Sequence, residues 1–462
     1  MIPDRLNPIL DVVRPLATRF DEAGHRLYLV GGIVRDLVVG RPLGADIDLT
    51  TDARPEVTTE LVRGWADAVW DQGARFGTVG LKRGDTTFEI TTHRAEAYSP
   101  DSRKPDVSFS TEVEADLSRR DFTVNAMALR VTGASGESPE LIDPFGGVAD
   151  LAAGVLRTPL DPDISFSDDP LRMLRAARFV AGYGLAPAPG LADAIARLVD
   201  RMEIVSAERI RDELAKLLVL PDPSDGLWFL VDSGVADLIL PELPAMRVEQ
   251  DPIHRHKDVL AHTIAVVAKT SPTLVLRMAA LLHDVGKPKT RSIGPKGVSF
   301  HHHEVVGARM ARDRLRALRF PNDEIEAITQ LVYLHLRFHG YGDDVWTDSA
   351  VRRYVRDAGP LLDDLNELTR CDCTTRNERK ARMLAARMDA LEARIAELRE
   401  REELESIRPD LDGQAVMAHL GIPPGPVVGK ALAMLLEARL EEGPLTEDEA
   451  KARLDAWWAT QS

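Results

Sequence analysis

The chain is short of three things: long hydrophobic runs, cysteine and positive charge. No run of about 18 apolar residues occurs, the length a membrane-spanning helix needs, so none is expected. The N-terminal stretch MIPDRLNPILDVVRPLATRFDEAGHR carries charges throughout and has no secretory hydrophobic region. The cytoplasm is the expected location. Cys371 and Cys373 are the only cysteines. Separated by one residue, they exclude a disulfide framework and read as ordinary helix residues in a reducing compartment. The formal net charge of −16 excludes a surface coated in lysine and arginine, while leaving room for a local basic groove.

What is present is a soluble, multi-domain composition. The 462 residues are 44% hydrophobic and 29% charged, and that length predicts roughly two to four domains. Residues 8 to 155 read as mixed α/β. β-like runs occur at Leu27–Val30, Ile47–Leu49, Thr78–Leu81 and Phe88–Thr91, with a helical pattern in ARPEVTTELVRGWA. GTVGLKRGDTTFEITTHR reads as a hairpin turning at Arg83-Gly84-Asp85. From about Ser167 the pattern is helical. SAERIRDELAKLLVL opens with Ser206 as an N-cap and Glu208 in the first turn. The segment from 377 to 406 is a charged helix whose Met383, Met388, Leu391, Ile395 and Leu398 form an apolar stripe. A GIPPGP turn separates two helices near the C-terminus.

The most specific local signal is LYLVGGIVRDLVVGRPLGADIDLT. A strand runs into Gly31-Gly32, a helical turn follows, and Asp46 and Asp48 then stand at i and i+2 of a second strand, on one face. Two carboxylates that close favour a neutralising cation. Glu89, inside the β-like run TTFEITTHR, also needs solvent or a partner. If its strand neighbours that of Asp46 and Asp48, the three converge. Two can hold Mg²⁺, and the third can hold a metal or help activate a hydroxyl. The expected chemistry is phosphoryl or nucleotidyl transfer.

GGIVRDLVVGRPLGADIDL resembles motif A of the class II tRNA nucleotidyltransferase and bacterial poly(A) polymerase superfamily. RRDFTVNAMAL at 119–129 and DDPLRMLRAARF at 168–179 resemble two further motifs of that superfamily. The resemblance covers about residues 20 to 220. It implies an α+β, polymerase-beta-like mixed-sheet head with metals on Asp46 and Asp48, followed by a helical neck. It also implies nucleotide contacts at Gly32 and Arg35 and a triphosphate contact at Arg120. Asp169 and Arg172 match the pair that reads the Watson–Crick edge of CTP or ATP, and Arg175 and Arg178 match further nucleotide-binding arginines. Asp168 stands where the family usually has Glu. Physically, cytosine and adenine share an exocyclic amine beside a ring-nitrogen acceptor, which an Asp acceptor and an Arg donor can match without a template. Arg172, Arg175 and Arg178, three apart, are expected on one broad helix face. Asp121 and Asn125 read equally as structural or as orienting residues, and Arg103 is a candidate for facing RNA.

HKDVLAHTIAVV, LLHDVGKPKT, FHHHEVVG and RCDCTTRN together resemble the HD phosphohydrolase superfamily. The resemblance implies His262, His283, Asp284 and Asp372 as core metal positions and His303 and His335 as ligands of a second metal. The metal would be a divalent transition ion or Mg²⁺. His301 and His302 adjoin His303, while His254, His256 and His339 read as surface or supporting residues.

The expected organisation is a nucleotidyltransferase head (1–155), a helical neck (156–250), an HD domain (251–375) and a helical tail (376–462), an arrangement similar to the actinobacterial type of CCA-adding enzyme. The expected function is template-independent addition and repair of the tRNA 3′-CCA end. Partners are tRNA, CTP and ATP, with no membrane and no stable protein partner. Lys430 reads equally as a tRNA contact or as plain surface. Poly(A) polymerase, a CC-only or A-only adding enzyme, and an inactive RNA-binding scaffold are the alternatives.

Overall fold

The computed structural model describes residues 6–461 apart from 45, 71–76, 100–101, 135–136, 249–257, 295–296, 342–345, 374–376, 403 and 405–406, and omits the side chains of 95–108, 340 and 341. The chain forms two compact units, Met1–Pro241 and Glu242–Ser462. The second begins eight residues before the expected end of the neck, at 250. Among the described residues no helix is long and apolar enough to cross a membrane.

The first unit opens with α1 (Asn7–Glu22), β1 (Leu27–Val30), α2 (Gly32–Val39), β2 (Asp46–Thr51), α3 (Pro55–Val62), β3 (Ala68–Trp70), β4 (Thr78–Arg83) and β5 (Thr86–Thr92). A separate hairpin of β6 (Arg94–Ser99) and β7 (Ser102–Phe109) follows, then α4 (Val113–Ser118), β8 (Ala128–Val131) and β9 (Glu140–Ile142). Seven strands make one mixed sheet in the order β3-β4-β5-β2-β1-β8-β9. Only β2 and β5 run parallel.

Alternation decides what each face does. Leu29, Ile47, Leu49, Phe88 and Ile90 point to one side and pack beneath Leu10, Val13, Leu16 and Phe20 of α1. On the other side Tyr28 and Val30 are covered by Val113 and Leu117 of α4. That cover stops over β1 and β8. The same face of β2 carries Asp46 and Asp48, both exposed. The expected hairpin is β4–β5, turning at Gly84 and Asp85, and the expected helix in ARPEVTTELVRGWA is α3.

Helices continue the unit: α5 (Gly147–Ala153), α6 (Pro162–Asp168), α7 (Leu171–Tyr183), α8 (Leu191–Leu198), α9 (Ala207–Leu218), α10 (Ser224–Asp232) and α11 (Val235–Ile239). α7 packs on α9 and α10. Its Phe179 ring lies 5.2 Å from Phe122, edge to face. Ser206 does precede α9, but its hydroxyl makes no capping bond.

The second unit comprises α12 (Glu242–Ala245), α13 (Val259–Lys269), α14 (Leu274–Leu282), α15 (Lys287–Thr290), α16 (His303–Ala317), α17 (Asn322–Leu334), α18 (Asp348–Ala358), α19 (Leu362–Asp372), α20 (Glu378–Arg401), α21 (Gly413–Leu420), α22 (Pro426–Glu442) and α23 (Glu447–Trp458). Seven of the nine residues of α14, Leu276 to Leu282, are buried, and all but Arg277 are apolar. Met388, Leu391, Ile395 and Leu398 bury the expected stripe of α20, but Met383 is 49% exposed and lies outside it. Cys371 lies in the last turn of α19 and Cys373 caps it, both as free thiols.

Candidate active site and metal centre

In the head, the glycine turn and the carboxylates meet at one place. Gly31 sits between β1 and α2 with φ +74° and ψ −138°, a conformation side-chain-bearing residues rarely adopt. A Cβ there would stand 3.4 Å from Arg120 Nη1 and 3.5 Å from Asp48 Oδ2. The turn, Arg120 and Asp48 therefore line one small volume, and Gly32 starts α2 beside it. In the parallel β2–β5 pair, Asp48 lies directly opposite Glu89, and Asp46 opposite Thr87. The three carboxylates thus share a face on neighbouring strands. Partial desolvation raises the Asp48 carboxyl, with Asp46 adding to the rise and Arg120 opposing it. Glu89 is raised by desolvation and then by Asp48 and Asp46. The cluster holds more negative charge than its one adjacent arginine offsets, and its donors are hard oxygens. It fits Mg²⁺.

The arginines form a chain of buried pairs. Asp116, wholly buried, accepts from Arg119 Nη2 at 2.6 Å and from Arg120 Nη2 at 3.0 Å. Arg119 in turn receives Arg172 on its carbonyl. Asp121 accepts from Arg175 Nε at 2.9 Å and from Asn125 Nδ2 at 3.0 Å, and Asn125 Oδ1 accepts from Arg35 Nη1 at 2.7 Å. Asp121 and Asn125 thus connect Arg175 to Arg35. Arg35 also stacks over Tyr183, 4.3 Å from the ring centroid. Arg178 bonds to Glu213. Arg172, Arg175 and Arg178 of α7 are thus each paired with a named partner within the first unit. Asp169 is held through both oxygens by Arg209, at 3.2 and 2.8 Å, whereas Arg172 bonds to Ser165 and Arg119. Asp116, Arg209 and Glu213 were not singled out from sequence. Only Asp116, three and four residues before Arg119 and Arg120, left a local signal.

The second unit carries a separate centre. His283 follows α14, His335 follows α17 and His303 begins α16. Each imidazole donates its Nδ1–H to the carbonyl three residues upstream: Ala280 at 2.7 Å, Val332 at 2.7 Å and Phe300 at 2.8 Å. That bond fixes the tautomer and leaves Nε2 as the donor atom toward the centre. The Nε2 atoms of His283, His303 and His335 lie 3.3, 3.3 and 3.9 Å from Asp284 carboxylate oxygens. His262 Nε2 reaches Asp372 at 2.8 Å and Asp284 at 3.6 Å. Among the described residues two groups of three, His262/His283/Asp284 and Asp284/His303/His335, are compact enough to hold an ion. Among the described residues the buried Nε2 of His283 has no hydrogen-bond partner, as expected of a metal donor. Lys287 Nζ, 2.6 Å from Asp284 Oδ2, helps keep that buried carboxylate charged. Imidazole and carboxylate together fit a divalent transition ion. His301 and His302 are exposed, so His303 is the inward member of its run. His339 is exposed, and His254 and His256 lie outside the described residues, as does the Arg103 side chain. Lys430 is exposed on α22.

Family models match stretches of both units. The Poly A polymerase head domain matches residues 27–157, the probable RNA- and SrmB-binding site of polymerase A matches 184–246, and the HD domain matches 259–398. The A-adding tRNA nucleotidyltransferase of Deinococcus radiodurans is 34% identical over 446 residues, 93% of this chain and 95% of its own. The chain belongs to the CCA-adding enzyme and bacterial poly(A) polymerase superfamily. Another member of that superfamily, the CCA-adding enzyme of Streptococcus pneumoniae serotype 19F, is 38% identical over 246 residues, 53% of this chain and 58% of its own. The fold is shared with the Bacillus stearothermophilus CCA-adding enzyme solved in complex with CTP, at a TM-score of 0.71, 24% identity and 99% coverage of both chains. The HD match extends past the expected end of that domain at 375, through most of α20.

Proposed function

We propose that this superfamily member adds and repairs the 3′-terminal CCA of tRNA from CTP and ATP without a template. The observation that carries nucleotidyl transfer is the register of Asp48 against Glu89, beside the Gly31 turn and Arg120. The RNA 3′-oxygen attacks the α-phosphorus, the bond to the bridging oxygen breaks, and pyrophosphate leaves. Glu89, its carboxyl raised in pKa, is placed to accept the hydroxyl proton. Arg120 faces the leaving charge. A divalent cation held by Asp46 and Asp48 would neutralise the phosphates and favour the 3′-alkoxide. Asp169 offers acceptor oxygens to the amine shared by cytosine and adenine, and Arg172 the matching donor. Because Arg209 already holds both Asp169 oxygens and Arg172 already bonds to Ser165 and the Arg119 carbonyl, an incoming base shares or displaces those contacts.

The tRNA CCA reading is supported by relatives named as CCA-adding enzymes. A second reading, A-only addition, is favoured by one observation: the relative matched along nearly the whole chain is named an A-adding enzyme. Incubation with tRNA ending at the discriminator base, at C and at CC, with CTP and ATP separately and together, separates the readings. CCA addition yields two C and one A and then stops. ATP use on CC ends alone, with CTP refused, establishes the second reading, and long A tails establish poly(A) synthesis. For the HD centre the proposed activity is metal-dependent hydrolysis of a phosphoester. It is tested with a 2′,3′-cyclic nucleotide and a phosphomonoester under added Mn²⁺, Ni²⁺ or Mg²⁺, and turnover of neither removes it.

A further inference from the structure

The open face of the head sheet continues beyond the carboxylates. Lateral pairing aligns Asp48 with Glu89, Glu89 with Gly80, and Gly80 with Trp70. Directly paired residues point to the same side of a sheet, so Trp70 stands on the face that carries the carboxylates. Gly80 is the bare position between them. A Cβ on Gly80 would fall 2.0 Å from Trp70 Nε1 and 2.3 Å from Cε2. The indole therefore lies on the Gly80 backbone, leaning toward Glu89, about two strand spacings or roughly 10 Å from Asp48. Trp70 remains 37% exposed. The adjacent row aligns Asp46, Thr87, Lys82 and Ala68, and Lys82 is exposed. An indole and an ammonium thus flank the carboxylates on the β4–β3 side.

The other side is already occupied. Gly31 and Arg120 approach Asp48 from β1 and the segment before β8. In-line displacement puts the attacking oxygen and the leaving pyrophosphate on opposite sides of the phosphorus. With the triphosphate on the Arg120 side, the attacking strand arrives over β5 and β4. We infer that Trp70 is the stacking platform for an unpaired base at the 3′ end of the RNA acceptor and that Lys82 meets a phosphate of the same strand. An aromatic face accepts any base, as a primer end that changes from the discriminator to C to CC requires. This rests on the nucleotidyl-transfer reading above.

The test is steady-state transfer of A to tRNA ending in CC. Trp70→Ala and Gly80→Ala, the latter lifting the indole without removing it, should raise the KM for tRNA about 5- to 100-fold, the range base stacking supplies, with the KM for ATP within about twofold. Trp70→Phe should restore most of the affinity. Wild-type protein provides a readout independent of these variants. A tRNA carrying 4-thiouridine at its last residue should photocrosslink to Trp70. An unchanged tRNA KM in folded Trp70→Ala and Gly80→Ala, or crosslinks confined to the β1 side, overturns the platform. Failure of wild-type protein to extend any tRNA would instead sink the functional reading, and the crosslink still decides where RNA lies.

Discussion

At the scale of single residues, buried aspartates organise the arginines of the first unit. Burial alone would raise Asp116 and Asp121. Arg119 and Arg120 pull Asp116 down to about 2, and Arg175 with Asn125 does the same for Asp121. Both folded values lie below the unfolded one, so their stabilisation is complete above about pH 4 and is lost as pH falls toward about 2. Each contributes on the order of 2 kcal/mol in that window. Urea denaturation from pH 5 down to pH 2.5 should therefore show a falling midpoint in the wild type and a shallower fall in Asp116→Asn. At pH 7 that variant should lose about 3–5 kcal/mol, because two guanidiniums lose a buried partner. An identical pH profile for the two proteins would show that Asp116 is not the titrating link. Such links were only partly legible in the sequence. Asp116 sits within one helical turn of its arginines. Arg209 and Glu213 meet Asp169 and Arg178 from 40 and 35 residues away, and nothing local announces those pairings.

At the scale of elements, periodicity carried most of the reading. The run Leu27–Val30 is β1 residue for residue, and the i, i+2 spacing put Asp46 and Asp48 on one face because strands alternate. Adjacency of the Glu89 strand was a condition that sequence could not settle. β3 and β4 lie between β2 and β5 in the chain, and only the folded sheet shows the parallel pairing. β3 itself, three residues long and exposed throughout, lacks the alternation that marks a strand. The stripe of α20 was legible except at its first position. Leu391→Ala, at a site with no exposure, should cost about 2–5 kcal/mol. Met383→Ala should change stability by less than about 0.5 kcal/mol. Urea midpoints of the second unit check both, and equal losses would refute the observed burial pattern.

At the scale of the whole molecule, two chemically distinct centres stand in two compact units. The head offers hard carboxylates beside a glycine turn, and the second unit offers imidazoles around a buried carboxylate. Their side chains come from separate cores, so each should fail alone. His283→Ala should remove most divalent transition metal measured by plasma mass spectrometry and leave nucleotide addition within about twofold, since the altered site lies in the other core. Asp46→Asn should reduce addition by at least about 100-fold while the bound metal of the second unit is retained. Loss of addition in a folded His283→Ala protein would show that the centres are coupled.

Three of the four imidazoles at the second unit's centre, those of His283, His303 and His335, are each aimed by a carbonyl only three residues back. Ring orientation is thus written into short local segments rather than negotiated across the core.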